Sequence, residues 1–391
     1  MNINRVVLLV LDGVGIGALP DAGEYGDEGA HTLLHCAQAV DGLSLRTLDR
    51  LGLGHVVSYP GASFSRAPLA HYGRLAEASA GKDTLTGHWE MMGLILREPF
   101  PTFPGGIPET ILDQLAAETG YRPLGGCPAS GTSILESLGE EHLRTRRPIL
   151  YTSADSVLQI AAHLDLYSLE ELYALCEKAR RLTESWRIAR VIARPFIGQP
   201  GSFRRTPDRR DFSLPPPSGT LLDRLQQSGV PVVAIGKIDD IFAGRGISVR
   251  RSAHTNAEVT RCVRSALEDL QHGLIFANLN DFDTLYGHRR DPAGFAAALR
   301  ELDASLPGLL AWLRSEDLLL LTSDHGCDPT FRGTDHTREF APLMAYCSAR
   351  SPGSWLGVGS TFSDLAATIA HAFSVPWNGP GVSFFSRLEA C

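Results

Sequence analysis

The chain has 391 residues, 43% hydrophobic and 20% charged, with a formal net charge of -8, which predicts two or three domains and argues against a nucleic-acid or anionic-membrane partner. No apolar run approaches the roughly 18 residues of a membrane span, and the N-terminus lacks a basic region followed by a cleavable apolar stretch, so a cytoplasmic protein is expected. The seven cysteines are scattered without a CxxC pair, which excludes a disulfide framework and a thiolate zinc site.

The first element is the apolar run Val6 to Leu11, which reads as a buried strand and closes on Asp12. Gly13-Val14-Gly15-Ile16-Gly17-Ala18 follows. The spacing matches a dinucleotide-binding turn, but Leu19-Pro20-Asp21 continues as loop and opens no helix to hold a pyrophosphate. The glycines are better read as letting backbone pass close to a crowded site beside Asp12.

Gly81 to Gly93 (GKDTLTGHWEMMG) is polar, rich in hydroxyls and bounded by glycines. A threonine hydroxyl is a weak nucleophile until a metal or base activates it. The rival reading is that Thr84 and Thr86 only cap a helix with Trp89 packed beneath.

Further apolar runs at 148 to 152, 188 to 193, 231 to 235, 274 to 279 and 317 to 322 predict strands with helices between them, hence an α/β fold. Ser218 to Gln227, with Ser218 as the cap, and Thr361 to Phe373 are predicted helices covering a sheet. The Pro- and Gly-rich stretch near 97 to 104 and the run Pro215-Pro216-Pro217 mark the edges of an inserted domain. The predicted division is a catalytic core at 1–96 and 214–391 around a cap at 97–213. Between Glu177 and Asp211 lie ten basic residues against four acidic ones. Arg180, Arg181 and Arg187 are expected on a solvated helix face, while Arg190 and Arg209, with Lys237 at the end of another apolar run, are better placed to hold a phosphate.

The last runs carry the clearest chemistry. Asp283 and His288 follow the strand at 274 to 279, and Asp324-His325 follows the one at 317 to 322, with His336 eleven residues after His325. With Asp12 this gives three carboxylates and three imidazoles at predicted strand ends, enough for two divalent ions with oxygen and nitrogen ligands. Two such ions against three carboxylates leave the site about +1, attractive to a phosphate dianion. Mn, Zn or Fe would suit these ligands equally. Cys327 is expected to behave as a small buried hydrophobe.

Taken together, Gly81 to Gly93, Asp283 to Asp291, Ser323 to Gly326 and Thr334 to Glu339 resemble the phosphopentomutases, a family of the alkaline phosphatase superfamily. The likeness extends over most of the chain, including Val10 to Gly15, Tyr151 to Val157 and Gly236 to Phe242. It implies an alkaline-phosphatase-like core sheet flanked by helices, discontinuous in sequence, with a smaller α/β cap inserted. It also implies two Mn²⁺ ions, one held by Asp12, Asp324, His325 and the Thr84 oxygen, the other by Asp283, His288 and His336. Thr84 would carry the phosphoryl group. Ser153, Asp155, Val157, Arg190, Ile192, Arg209 and Lys237 would contact a phosphosugar. The implied reaction interconverts ribose or deoxyribose 1-phosphate and 5-phosphate in nucleoside catabolism, in a monomer primed by ribose 1,5-bisphosphate or glucose 1,6-bisphosphate. A metal-dependent phosphomonoesterase or a phosphoglycerate-mutase-like enzyme would share the ligands, and a phosphosugar-binding protein without turnover is the reading from outside enzymes.

Overall fold

The central strand Arg5–Leu11 is buried at all seven positions, as expected of a parallel strand covered on both faces. The computed structural model describes residues 2–153, 156–349 and 352–389. Contacts divide the chain into two compact units, one made of the segments Met1–Glu98 and Pro216–Cys391 and the other of Pro99–Pro215.

In the first unit, Arg5–Leu11 pairs in parallel with Gly273–Leu279 on one side and Asp317–Thr322 on the other. Val232–Ile235 and Val249–Arg251 extend the parallel half outward. Beyond Asp317–Thr322 the sheet turns mixed: Ala341–Tyr346 is antiparallel to both of its neighbours, and Trp355–Gly359 completes eight strands beside His71–Leu75. Side chains alternate across the sheet with period two. Val7, Leu9 and Leu11 share one face with Ile275, Leu319 and Leu321, and pack against Val259, Val263, Phe295 and Leu302 from the helices Asn256–Asp269 and Pro292–Leu310. Each such aliphatic side chain contributes roughly 1.5–3 kcal/mol by leaving water. At the amino ends, buried Arg5 donates to Asp317 and to the Leu267 carbonyl, tying the first strand to the start of Asp317–Thr322 and to the helix Asn256–Asp269.

The helix expected from Ser218 runs from Leu221 to Gln227 and is capped by Thr220. Gly219, at φ +101°, stands between the two hydroxyls, and Thr220 and Asp223 form a reciprocal capping box that Ser218 is too far out to make. The helix expected over Thr361 to Phe373 spans Ser363–Ala372.

The second unit has its own sheet. Ile149–Thr152 lies between Leu124–Pro128 (parallel) and Val157–His163 (antiparallel), and Arg190–Ile197 then pairs in parallel with Val157–His163. Arg204–Arg205 and Arg210–Ser213 both run antiparallel to Arg190–Ile197. Arg180, expected in solvent, is buried on the helix Leu169–Thr183 and donates to the Ile188 carbonyl at 2.6 Å. Its amphipathic helix turns that position toward the sheet, and burial lowers the guanidinium pKa to about 10.

A candidate two-metal centre

The parallel core strands end together. Leu11 pairs with Leu279, and Val10 with Thr322, so residues just past the three ends converge at the carboxyl edge, where open α/β sheets keep their chemistry. Asp12 is the next residue after the first strand. Asp283 sits in a wide helical turn, Phe282–Gly287, with His288 immediately after it. Asp324 and His325 follow the third strand, and a bridge between Gly326 and Thr337 brings His336 back to them.

These six side chains form two overlapping groups. His325 Nε2 lies 3.4 Å from Asp12 Oδ1 and 3.3 Å from Asp324 Oδ2. Asp283 Oδ1 is 3.4 Å from both His288 Nε2 and His336 Nε2. The His325 and His336 rings are 4.0 Å apart, and Asp283, His325 and His336 also offer mutually close ligand atoms, so His325 stands between the groups. Cys327 was expected to be only a small hydrophobe, yet it joins Asp283 and His288 in a third such cluster. Burial and the Asp283 charge push its thiol well above the usual range, which favours the neutral form.

The electrostatics fit divalent cations. Both Asp12 carboxylate oxygens are buried without a hydrogen-bond partner, which is costly unless a cation meets them. Burial, reinforced by the charges of Asp324 and Asp283, raises the Asp12 pKa well above the ordinary carboxylate value. Burial pushes Asp283 up too, but the hydrogen bond and charge of His336, then His288 and Lys237, hold it well below. Asp324 is likewise pushed up by burial and drawn down to about 2 by His325 and His88. Burial lowers His325 to about 4, leaving the neutral imidazole that a metal ion requires.

Thr84 is the first residue of the helix Thr84–Met91, and its hydroxyl lies 3.2 Å from His325 Nε2. The cap is Asp83, whose carboxylate accepts from the Leu85 and Thr86 amides and from the Thr86 hydroxyl at 2.5 Å. The capping reading of the two threonines therefore fails. Asp83 does that work, Thr86 is tied to it, and Thr84 alone faces the ligands. Trp89 does pack beneath, buried and donating to the Ile241 carbonyl. Gly87 lets this helix lie directly on the ligand strand end, because a Cβ there would come 2.3 Å from the Asp324 carbonyl oxygen.

Anchors that the sequence did not disclose hold the frame. Buried Arg338 donates to the Glu77 carboxylate and to the Ser79 and Gly81 carbonyls, coupling the loop before Thr84 to the loop of His336. Buried Glu339 accepts from Thr32 and the Gly17 amide, and a Cβ on Gly15 or Gly326 would collide with it. Glu339 thus accounts for Gly15 in the turn after Asp12, while Gly13, at φ +78°, lies against Cys327. Arg338 and Glu339 stand beside His336 in sequence, and that adjacency was the available signal.

The expected sugar-side residues are distributed as follows. Val157 and Ile192 are buried in adjacent strands of the second unit, with Val157 opposite Arg190 and Ile192 opposite Asp211. Arg209 donates two bonds of 2.6 Å to Asp211, and Arg190 lies 3.8 Å from the same carboxylate. Ser153 is half-buried, and Asp155 lies outside the described residues. Lys237 is in the first unit, its Nζ 3.8 Å from Asp12 Oδ2.

Comparisons with known proteins give the family and the fold. Residues 4–376 match the model of the Metalloenzyme superfamily. The chain is 54% identical to a phosphopentomutase of Anaeromyxobacter sp. (strain K) over 98% of this chain and 99% of that protein. It is 54% identical to one of Syntrophotalea carbinolica over 98% of each, and 49% identical to one of Dictyoglomus thermophilum, also over 98% of each. Among solved structures, a phosphoglycerate mutase of Leishmania mexicana superposes with a TM-score of 0.53 over 97% of both chains at 13% identity, a likeness of fold.

Proposed function

The chain belongs to the phosphopentomutase family, and from that premise we propose that it interconverts ribose or deoxyribose 1-phosphate and 5-phosphate, in nucleoside catabolism, through a phosphorylated Thr84. The observation that carries this is the Thr84 hydroxyl, at the start of a buried helix and 3.2 Å from His325 Nε2, in a site whose other groups are suited to divalent cations. Asp12, Asp324 and His325 would hold one ion and Asp283, His288 and His336 the other. Mn²⁺ bound there would neutralise charge on phosphoryl oxygens and lower the pKa of a nearby hydroxyl.

In the proposed cycle the C5 hydroxyl of ribose 1-phosphate attacks the phosphorus on Thr84. The bond from phosphorus to Thr84 Oγ breaks, and the hydroxyl proton passes to solvent or base. The 1,5-bisphosphate so formed returns its C1 phosphoryl group to Thr84 Oγ, and the C1 oxygen leaves with a proton as ribose 5-phosphate. Asp83 fixes the helix start and so the position of Thr84. Arg190, Arg209, Ser153, Asp155, Val157, Ile192 and Lys237 are proposed substrate contacts, the guanidiniums as phosphate forks. A free bisphosphate such as glucose 1,6-bisphosphate would phosphorylate Thr84 at the outset.

Purified protein with Mn²⁺ and glucose 1,6-bisphosphate is expected to convert ribose 1-phosphate into ribose 5-phosphate without net loss of organic phosphate. Predominant release of inorganic phosphate would instead identify a phosphomonoesterase, and turnover of phosphoglycerate alone a phosphoglycerate-mutase-like enzyme. Binding of the phosphosugar with no turnover at all would identify a binding protein.

A further inference from the structure

We infer that His88 is a positioning residue that couples the Thr84 helix to the ligand Asp324 through one fixed imidazole tautomer. The inference rests on the reading of Thr84 as phosphoryl carrier and Asp324 as metal ligand. His88 is fully buried on the fourth residue after Thr84. Its Nδ1 is 2.9 Å from the Thr84 carbonyl oxygen and 3.2 Å from Asp324 Oδ2. Both neighbours only accept hydrogen bonds, so Nδ1 carries the hydrogen. Its Nε2 lies 3.2 Å from Asn278 Nδ2, a donor, and therefore accepts. Phe276 stacks beneath the ring, with centroids 5.9 Å apart and planes 26° from parallel.

One imidazole thus touches three segments, the nucleophile helix, the strand Gly273–Leu279 and the end of the strand Asp317–Thr322. The other oxygen of Asp324 accepts from the Gly13 amide at 3.1 Å, while Oδ2 stands between His88 Nδ1 at 3.2 Å and His325 Nε2 at 3.3 Å. Outer groups of this kind orient a ligand and fix the direction of its free lone pairs, and their loss costs about 10–100-fold in metal affinity or activity. Because the same N–H also reaches the Thr84 carbonyl, a change at Asp324 and a change in the first helical turn are mechanically linked.

The test uses the full chain with three variants, His88→Ala, His88→Asn and Asn278→Leu. Asn can present an N–H near the position of Nδ1. His88→Ala is expected to lower kcat about 10–100-fold with KM for ribose 1-phosphate nearly unchanged, and to weaken Mn²⁺ binding to the chelator-treated protein in calorimetry by a similar factor. His88→Asn should recover part of both. Long-range ¹H–¹⁵N spectra of the unaltered protein should show a buried imidazole protonated at Nδ1 and bare at Nε2, a pattern lost in Asn278→Leu. If His88→Ala does not fold, the spectra and Asn278→Leu still decide the matter. Wild-type Mn²⁺ affinity and kcat in His88→Ala, or a proton on Nε2 with Nδ1 bare, would overturn the inference. Thr84→Ala measured alongside separates the two claims: full turnover there defeats the phosphothreonine reading, whereas a dead Thr84→Ala beside an unaffected His88→Ala defeats only the role of His88.

Discussion

The two units differ in where they keep their candidate functional charges. In the first, Asp12, Asp283, Asp324, His325 and His336 are all buried at the ends of strands that pair in register. In the second, Arg204, Arg205, Arg209 and Arg210 are exposed on short strands or turns, with Asp211 as the shared carboxylate of Arg190 and Arg209. Buried charge without a partner is expensive, so the first unit is built around groups that need cations. Exposed guanidiniums cost little to leave solvated, and they suit a role in recognising a phosphate that comes and goes. On the proposed function, the contrast would give the chemistry to the first unit and a share of substrate recognition to the second.

The harshest way to probe this division is Thr84→Ala, which should reduce turnover by about 10⁴-fold or more, as expected for loss of a group that bonds to the transferred atom. Intact-mass measurement should find no added phosphate, while Thr86→Ala, whose hydroxyl only bonds Asp83, should still be phosphorylated. Next in size is metal removal. A chelator should abolish activity and cost the first unit roughly 2.7 kcal/mol for each ion that had been present at 100 times its Kd. Hydrogen exchange should then rise around Asp12, Asp283 to His288 and Asp324 to His336 and stay constant in Pro99–Pro215. Equal loss of protection in both units would blur the comparison.

Smaller still, Arg209→Ala should raise KM for the pentose phosphate by about 10-fold, the loss of one charge-assisted fork worth roughly 1.5–3 kcal/mol, with Mn²⁺ affinity unchanged. A fall in metal affinity would contradict the separation of roles. Thr220→Ala removes a capping box that uses none of the candidate ligands or arginines and should cost about 1 kcal/mol in denaturant unfolding without altering KM.

The α/β class was legible because the buried strands are uninterrupted apolar runs: Arg5–Leu11, Gly273–Leu279 and Asp317–Thr322 differ from the predicted runs by one residue or less at each end. The mixed half of the sheet was not. Ala341–Tyr346 contains Pro342, and His71–Leu75 alternates buried and half-buried residues around Gly73, so neither stands out as an apolar run. The six candidate ligands could be picked out because they sit just beyond strands and are chemically distinctive. Arg338, Glu339, His88 and Asn278 could not, since what defines them is partners as much as 322 positions away. No local pattern encodes such a bond. The thwarted cap at Ser218 failed for a smaller reason, a glycine with positive φ that moved the helix start by two residues.

The register of the central strand has a consequence for how the protein is made. Arg5 pairs with Gly273 and with Asp317, so the first strand leaves the ribosome long before either neighbour exists. At about 5–20 residues per second that delay amounts to some tens of seconds. Pro99–Pro215, being one continuous stretch, is complete well before then and can fold while Asp12 is still waiting. A nascent chain halted before Gly273 would therefore carry a finished second unit and an apolar strand with neither of its partner strands, which makes the N-terminal segment the part most in need of chaperones during synthesis.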